Sequence, residues 1–343
     1  MSDDWREGLD AVDEALLDGY QRGFPVERRP FEAIGADLGI DGDEAFDRVR
    51  ALVDRGAIRR VGPVLAPSAI GSSTLAALSV PDDEFAAAAA VVNGYPQVSH
   101  NYRRDHEWNM WFVLAAGSRA RRDALLADIA AETGREPLVL PKLRTYGVDL
   151  AFAVGGDDRT PGESSAADER PRAGTPREEQ SVSLTRFEGD LLLEIQDGLP
   201  PSATPYADVA ASLGADVDDV LAALDRLLDR GAVKRVGCVV SHRKTGFDAN
   251  CMVVWAVPED AVDAVGREVA AYPFVTKCYR RPRRPDRGWE YTLFTMLHGR
   301  SRAAVDERID DLAAEIQYPH ERLSTVEKLK QTGVRFERLG EGR

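Results

Sequence analysis

The chain is written twice, and that constrains its fold more than any other feature. LVDRGAIRRVGPV (Leu52–Val64) returns 175 residues later as LLDRGAVKRVGCV (Leu227–Val239). The same interval separates Gly23-Phe24-Pro25 from Gly198-Leu199-Pro200, and Phe31 from Tyr206. Tyr95-Pro96 and Tyr272-Pro273 lie 177 residues apart, and KLRTYGV (Lys142–Val148) precedes KLKQTGV (Lys328–Val334) by 186. Constant order with growing intervals means that loops have lengthened around one repeated framework.

Each copy divides into two parts. The first is helical, with an apolar stripe at Leu9, Val12, Leu16 and Leu17, a short helix Phe31–Leu38 ended by Gly39, and a second, Asp43–Asp54, ended by Gly56. With the AIRRVGPVL ribbon behind them these read as a winged helix-turn-helix, repeated by Tyr206–Leu213, LGADVDD and Val217–Asp229. The second part alternates: strand Thr74–Val80, helix Asp82–Asn93, strands Val98–Arg104 and Glu107–Ala115, helix Ser118–Thr133 and strand Leu143–Phe152. That βαββαβ order predicts an α+β, ferredoxin-like layer with helices on one face of an antiparallel sheet. The bare face of each sheet needs a cover, and the other copy supplies one. The expectation is therefore a tandem repeat whose two sheets pair about a pseudo-two-fold axis. The domains are 1–67 (winged helix-turn-helix), 68–154 (ferredoxin-like), 184–243 and 244–343 (the same pair again). Residues 155–183, rich in Gly, Pro, Ser and charge, read as a disordered linker, expected to keep the copies at high effective concentration.

With 58 acidic against 44 basic residues the net charge is −14, which repels phosphate backbones and anionic lipid on average. The helices that would enter DNA are acidic too. Asp43–Arg55 sets Asp43, Glu44, Asp47 and Asp54 against three arginines, and Asp216–Arg230 sets five aspartates against two arginines. DNA is not the expected partner. Cys238, Cys251 and Cys278 form no CxxC pair, which argues against a disulfide framework or a zinc site and for a reducing cytoplasm. The acidic start MSDDWREGLD is no signal peptide, and no run of about 18 apolar residues is present to span a membrane.

Chemistry concentrates in VSHNYRRDHEWNMWF (Val98–Phe112) and its echo, Val275–Phe294. His100, Tyr102, Arg103, Arg104 and His106 precede Trp108, Trp111 and Phe112. Guanidiniums pair carboxylates and stack on rings, so this set suits a flat, partly apolar polyanion. The structural alternative is a half-buried strand with a wet and a dry face; its being built twice favours the ligand.

On GFP (Gly23–Pro25), RRVG (Arg59–Gly62), SHNYRRDHEWNMWF (Ser99–Phe112), LPKLRTYGVDLAF (Leu140–Phe152), KRVG (Lys234–Gly237), CYRRP (Cys278–Pro282) and WEYTLFTMLHG (Trp289–Gly299), the chain resembles the siroheme decarboxylases. These are an enzymatic branch of the Lrp/AsnC-like architecture, and the likeness spans both copies, as in a fusion of two subunits. It implies loss of CO2 from the C12 and C18 acetates of siroheme, giving 12,18-didecarboxysiroheme on the way to haem or haem d1, with no cofactor beyond that iron-containing substrate. Further homo-oligomerisation is compatible with it. The alternative is an Lrp/AsnC-type regulator sensing a small molecule. The expected reacting set is His100, Tyr102, Arg104 and His106, with His100 as proton donor or as axial contact to the siroheme iron; no resident metal is expected. The expected binding set begins with Arg59, Arg60, Arg103, Trp108, Lys142 and Arg144. From the second copy come Lys234, Arg235, Lys277, Tyr279, Arg280, Arg281, Trp289 and Lys328. Lys277 stands opposite His100, where the family resemblance leads one to expect histidine, and PRRPDRG (Pro282–Gly288) adds three arginines. The helical heads, on this reading, are scaffolding.

Overall fold

The computed structural model describes residues 8–148, 182–240, 249–299 and 301–339. Most of the linker, the end of the expected strand Leu143–Phe152, and His242 lie outside the described residues.

The first copy begins with α1 (Ala11–Gly19), whose N-terminus is closed by a capping box between Asp10 and Asp13. Then come α2 (Pro30–Leu38), ended by left-handed Gly39, and α3 (Gly42–Asp54), capped by Asp41. Strand β1 (Ile58–Leu65) and the single turn α4 (Pro67–Ile70) lead to β2 (Ser72–Leu78), α5 (Phe85–Gly94), β3 (Val98–Arg104), β4 (Met110–Ala116) and α6 (Arg119–Thr133). The copy closes with β5 (Leu138–Pro141) and β6 (Arg144–Val148). The second copy repeats the plan as α7 (Arg186–Ile195), α8 (Pro205–Leu213), α9 (Val217–Asp229) and β7 (Val233–Val240). It continues through β8 (Ala249–Trp255), α10 (Val262–Val269), β9 (Val275–Arg280), β10 (Leu293–Gly299), α11 (Arg302–Ile316) and the long β11 (His320–Gln331).

The expected pairing of the copies is present, and it goes further than sheet against sheet. One nine-stranded sheet runs β5-β2-β4-β3-β11-β8-β10-β9-β6. Each copy lends its last strand to the other: β11 pairs first with its own β8 and then with β3, while β6 pairs with β9. The two ends of that order, β5 and β6, are consecutive pieces of one segment broken at Lys142-Leu143, so the sheet wraps back on itself. The single closing strand expected over 143–152 is therefore two strands shared between the copies. Composition gave no sign of it, because an exchanged strand and an intramolecular one present the same alternation.

The wings are joined as well: β1 and β7 pair with each other, Gly62 opposite Gly237. Leu199 N–H donates to Val61 O at 2.7 Å, and Phe24 N–H donates to Val236 O at 3.2 Å, the same bond made in both directions. A Cβ on Gly62, which sits at φ +153°, would come 2.9 Å from Gly198 Cα, and one on Gly237 would run into Gln21 O, so both copies of the RVG motif need glycine.

Apolar residues sort into four clusters. One joins the heads. One lies under α5 and α6, and another under α10 and α11. The fourth, the inter-sheet cluster, fills the inside of the wrapped sheet, between the halves from the two copies, with Leu75, Trp111, Met252, Trp289, Phe294 and Leu323 among others.

Candidate active site

Strand alternation places the functional side chains, with one irregularity in each half. β3 carries a bulge between Val98 and His100, and β9 a matching one between Val275 and Lys277. An inserted residue reverses the facing of every later residue in its strand, so His100, Tyr102 and Arg104 turn away from the helices and toward the interior. Lys277, Tyr279 and Arg281 do the same. The alternate residues look at the helices: Asn101 donates to Asn93 at 3.1 Å, and Cys278 to Gly266 O at 3.5 Å.

Arg104 and Arg281 are buried, 4% and 9% exposed. Arg104 Nη1 donates to Leu323 O at 2.5 Å and to Thr325 Oγ1 at 3.2 Å, with its guanidinium 5.4 Å from the Tyr102 ring. Arg281 repeats the pattern, donating to Leu140 O at 2.5 Å and lying 5.5 Å from the rings of Tyr279 and Phe294. Lys142 Nζ sits 5.1 Å from the Tyr279 ring as well. Carbonyls, a hydroxyl and rings are thus among the groups that hold the two guanidiniums in place.

Electrostatics bear the mark of this crowding. Burial, then the positive charges of Lys277, Arg59 and Lys328, push the His100 imidazole down to about 3. Burial, then Lys234, Lys142, Arg281 and Arg104, push the Lys277 ammonium down to about 8. Burial also lowers Arg104, to about 10. Among the described residues, the charged side chains that lower His100 and Lys277 are cations. Two of them, Arg59 and Lys234, come from the paired wings, so charge from the heads reaches His100 and Lys277. A cavity of about 460 Å³, lined by Ser72, Arg122, Lys142, Arg144 and Arg280 among others, lies at the β5–β6 break.

Several residues expected at the site are placed elsewhere. Arg103 faces the helices, paired with Asp82 at 2.6 Å and stacked on Phe85. Arg280 pairs with Glu259 and Asp263, and Arg144 with Asp263 at 2.5 Å, on that same outer side. These are the odd members of the alternation, and adjacency in sequence to a site residue is what made them look like ligands. Arg60 donates to Pro63 O at 2.9 Å and Arg235 to Gln21 O at 2.5 Å, clamping the heads together. His106 accepts the Trp108 N–H at Nδ1 (2.9 Å), so Nε2 carries the proton toward Glu321 at 2.7 Å. It lies beyond the end of β3, against Trp289, as part of a structural clamp. Trp108 and Trp289 are buried in the inter-sheet cluster as wall, and the insertion's arginines are engaged: Arg283 by Glu290, Arg284 by Asp286, Arg287 by Glu136 O. His320 packs on Trp255.

Two hydroxyls escape a reading of the sequence, Ser99 and Thr276, the bulged residues themselves. Ser99 Oγ lies 2.9 Å from His100 Nδ1, and Thr276 Oγ1 lies 2.8 Å from His298 Nδ1. Their 177-residue separation equals that of Tyr95 and Tyr272, a signal present in the repeat. Among the described residues no group of three or more His, Cys, Asp or Glu could hold a metal, and no helix is long and apolar enough to cross a membrane.

Comparison with known proteins agrees with this geometry. Residues 69–147 and 244–330 match the AsnC-like ligand binding domain, and 13–59 and 188–233 the siroheme decarboxylase NirDL-like HTH domain. The chain is 36% identical over 329 residues to the siroheme decarboxylase NirDL subunit of Paracoccus denitrificans (strain Pd 1222), covering 95% of this chain and 97% of that one. It is 30% identical over 295 residues to a siroheme decarboxylase of Hydrogenobacter thermophilus (strain DSM 6534 / IAM 12695 / TK-6), covering 85% and 84%. A crystal structure of the siroheme decarboxylase NirDL in co-complex with an iron-uroporphyrin III analogue superposes with TM-score 0.72 at 25% identity, over 94% of each chain.

Proposed function

Since the chain belongs to the siroheme decarboxylase family, we propose that it is a carboxy-lyase removing CO2 from the C12 and C18 acetates of siroheme to give 12,18-didecarboxysiroheme. The observation that supports this most is the pair of inward rows on β3 and β9, where, among the described residues, the charged groups acting on His100 and Lys277 are cations and the neighbouring cluster is rich in aromatic rings. Such a setting suits a flat macrocycle with eight carboxylates: the ligand brings negative charge to the cations, and its faces meet rings. We assign Arg59, Lys142, Lys234, Lys277, Lys328 and the matched Arg104 and Arg281 to carboxylate binding, with Tyr102 and Tyr279 orienting the leaving groups.

Each step breaks the bond between a ring-borne CH2 and its carboxylate. CO2 departs, the electron pair stays on carbon and spreads into the conjugated ring, and a proton completes the methyl. His100 delivers that proton in the first half. In the empty site it is a neutral imidazole, because it is buried among cations. Substrate carboxylates neutralise those cations and allow it to protonate, so the acid is generated by the binding event itself. The siroheme iron belongs to the substrate, and the reaction is redox-neutral and draws on no further cofactor. Relatives named as subunits suggest further assembly of whole chains, in a cytoplasmic setting.

The test is anaerobic incubation of purified protein with siroheme, followed by mass spectrometry of the tetrapyrrole. Loss of two CO2 is expected. An unchanged mass overturns the proposal, and a salt-sensitive DNA complex in its place would favour the regulator.

A further inference from the structure

The chain is sparing with lysine. It has six lysines against 38 arginines, and four of the six, Lys142, Lys234, Lys277 and Lys328, act on the inward rows of β3 and β9. For a fixed positive charge arginine serves as well, and its guanidinium keeps its proton. Lysine adds one capacity: once deprotonated, its amine is a nucleophile.

Lys277 is the lysine placed to use it. The bulge in β9 turns it inward, at the head of the row that continues with Tyr279 and Arg281. Its strand lies between β10 and β6, where Met296 and Val148 stand opposite it. The side chain is half-buried, neither sealed in the core nor bathed in solvent. Four cations bear on it: Lys234 from β7, Lys142 from the β5–β6 break, Arg281 from its own strand and Arg104 from β3. His100, the neutral imidazole of the other row, feels the charge of Lys277 in turn. Burial first, and then these cations, bring the ammonium down to about 8, so that near pH 8 about half of the ligand-free molecules hold a neutral amine there.

The same cations favour any reaction that exchanges this positive charge for a negative one. Decarboxylation between the halves releases such a reagent beside the amine: CO2 is small, uncharged and electrophilic, and its adduct with an amine is an anion.

We propose that Lys277 is a carbamate site, at which CO2 adds reversibly to the amine and closes the ligand-free protein to its polyanionic substrate. The ammonium first gives a proton to solvent. The Nζ lone pair then forms a bond to the carbon of CO2, and one C–O π pair moves onto oxygen. The nitrogen releases a second proton, leaving R–NH–COO⁻. Negative charge now stands where substrate carboxylates would meet a cation, so adduct and substrate exclude each other. By linkage the exclusion is reciprocal: bound carboxylates hold Lys277 as an ammonium, which cannot add CO2. The outcome is inhibition by the product gas. That the enzyme itself supplies the CO2 rests on the decarboxylase reading; formation of the adduct from added CO2 does not.

The experiment incubates the full chain at pH 8 with ¹³C-labelled bicarbonate in equilibrium with CO2. Any carbamate is then trapped by alkylation with triethyloxonium and located by peptide mass spectrometry. A labelled carboxyl group is expected on Lys277, and its loss when iron-uroporphyrin III is added first. In a parallel spectrophotometric titration, the CO2–bicarbonate mixture is expected to weaken iron-uroporphyrin III binding to wild type at least about tenfold relative to chloride of equal ionic strength. Lys277→Arg keeps the cation without a reactive amine, and there the mixture is expected to act no differently from chloride. An unlabelled Lys277 overturns the proposal, as does equal weakening in Lys277→Arg. If that variant does not fold, labelling of wild type and its suppression by iron-uroporphyrin III decide the matter. Siroheme that keeps both carboxyl groups in the anaerobic assay, beside a labelled Lys277, overturns the decarboxylase reading alone.

Discussion

β3 and β9 are the same strand built twice, and they differ at one inward position. Both carry a bulge, an inward tyrosine and an inward buried arginine stacked on it. One begins that inward row with His100 and the other with Lys277. The matched positions hold charge in place through carbonyls and rings, a task that any half of a polyacid site must perform. The unmatched position changes what can be done with a proton: a neutral imidazole on one side, an ammonium on the other. Duplication thus separates binding, which is kept in both halves, from chemistry, which is free to diverge.

The largest expected effect breaks the comparison at the unmatched position. His100→Ala should lower the rate of CO2 loss by about 10²–10⁴-fold with affinity for iron-uroporphyrin III nearly unchanged, whereas Lys277→Met should mainly weaken affinity. Rapid-quench mass spectrometry with a parallel binding titration separates the two. Next come the matched arginines. Arg104→Met and Arg281→Met should each weaken iron-uroporphyrin III binding by about 2–4 kcal/mol, and by similar amounts, in a spectrophotometric titration; a large inequality would mean that the halves do not share the ligand.

A smaller effect is on stability without ligand. Lys277 titrates near 8 when folded, against an ordinary lysine near 10.5, so the unfolded chain holds more protons between those values. Stability should therefore rise with pH from about 8 to about 10.5, and Lys277→Met should raise the denaturant midpoint at pH 7, by roughly 2–3 kcal/mol of stability. A second stability effect, confined to acid pH, concerns His100, whose folded value is about 3 against an ordinary 6.5. The unfolded chain again binds the extra proton, so stability should fall as pH drops from about 6.5 toward 3. His100→Asn should flatten that limb in pH-resolved chemical denaturation.

Much of this arrangement was legible in the residues. The repeat gave the two-fold plan, the periodicities gave most helices and strands, and the echo of SHNYRR in TKCYRR pointed to the candidate site. The features that stayed hidden share one physical cause. Strand exchange at β5–β6 and β11, wing pairing at Gly62–Gly237 and the joint use of Arg59 and Lys234 are contacts between distant segments, and they leave no local periodicity. The bulges were hidden too, and with them the facing of every residue downstream. That is why Arg103 and Arg280 were grouped with Arg104 and Arg281, although alternate residues of a strand look in opposite directions.

The central claim is that a polyanionic tetrapyrrole enters the cationic interior between the halves and there protonates His100. Calorimetric titration of iron-uroporphyrin III at pH 7, in buffers of different ionisation enthalpy, measures this directly. Uptake of close to one proton is expected on binding to wild type and should be absent in His100→Gln. Tight binding with the same proton balance in both proteins would contradict the claim.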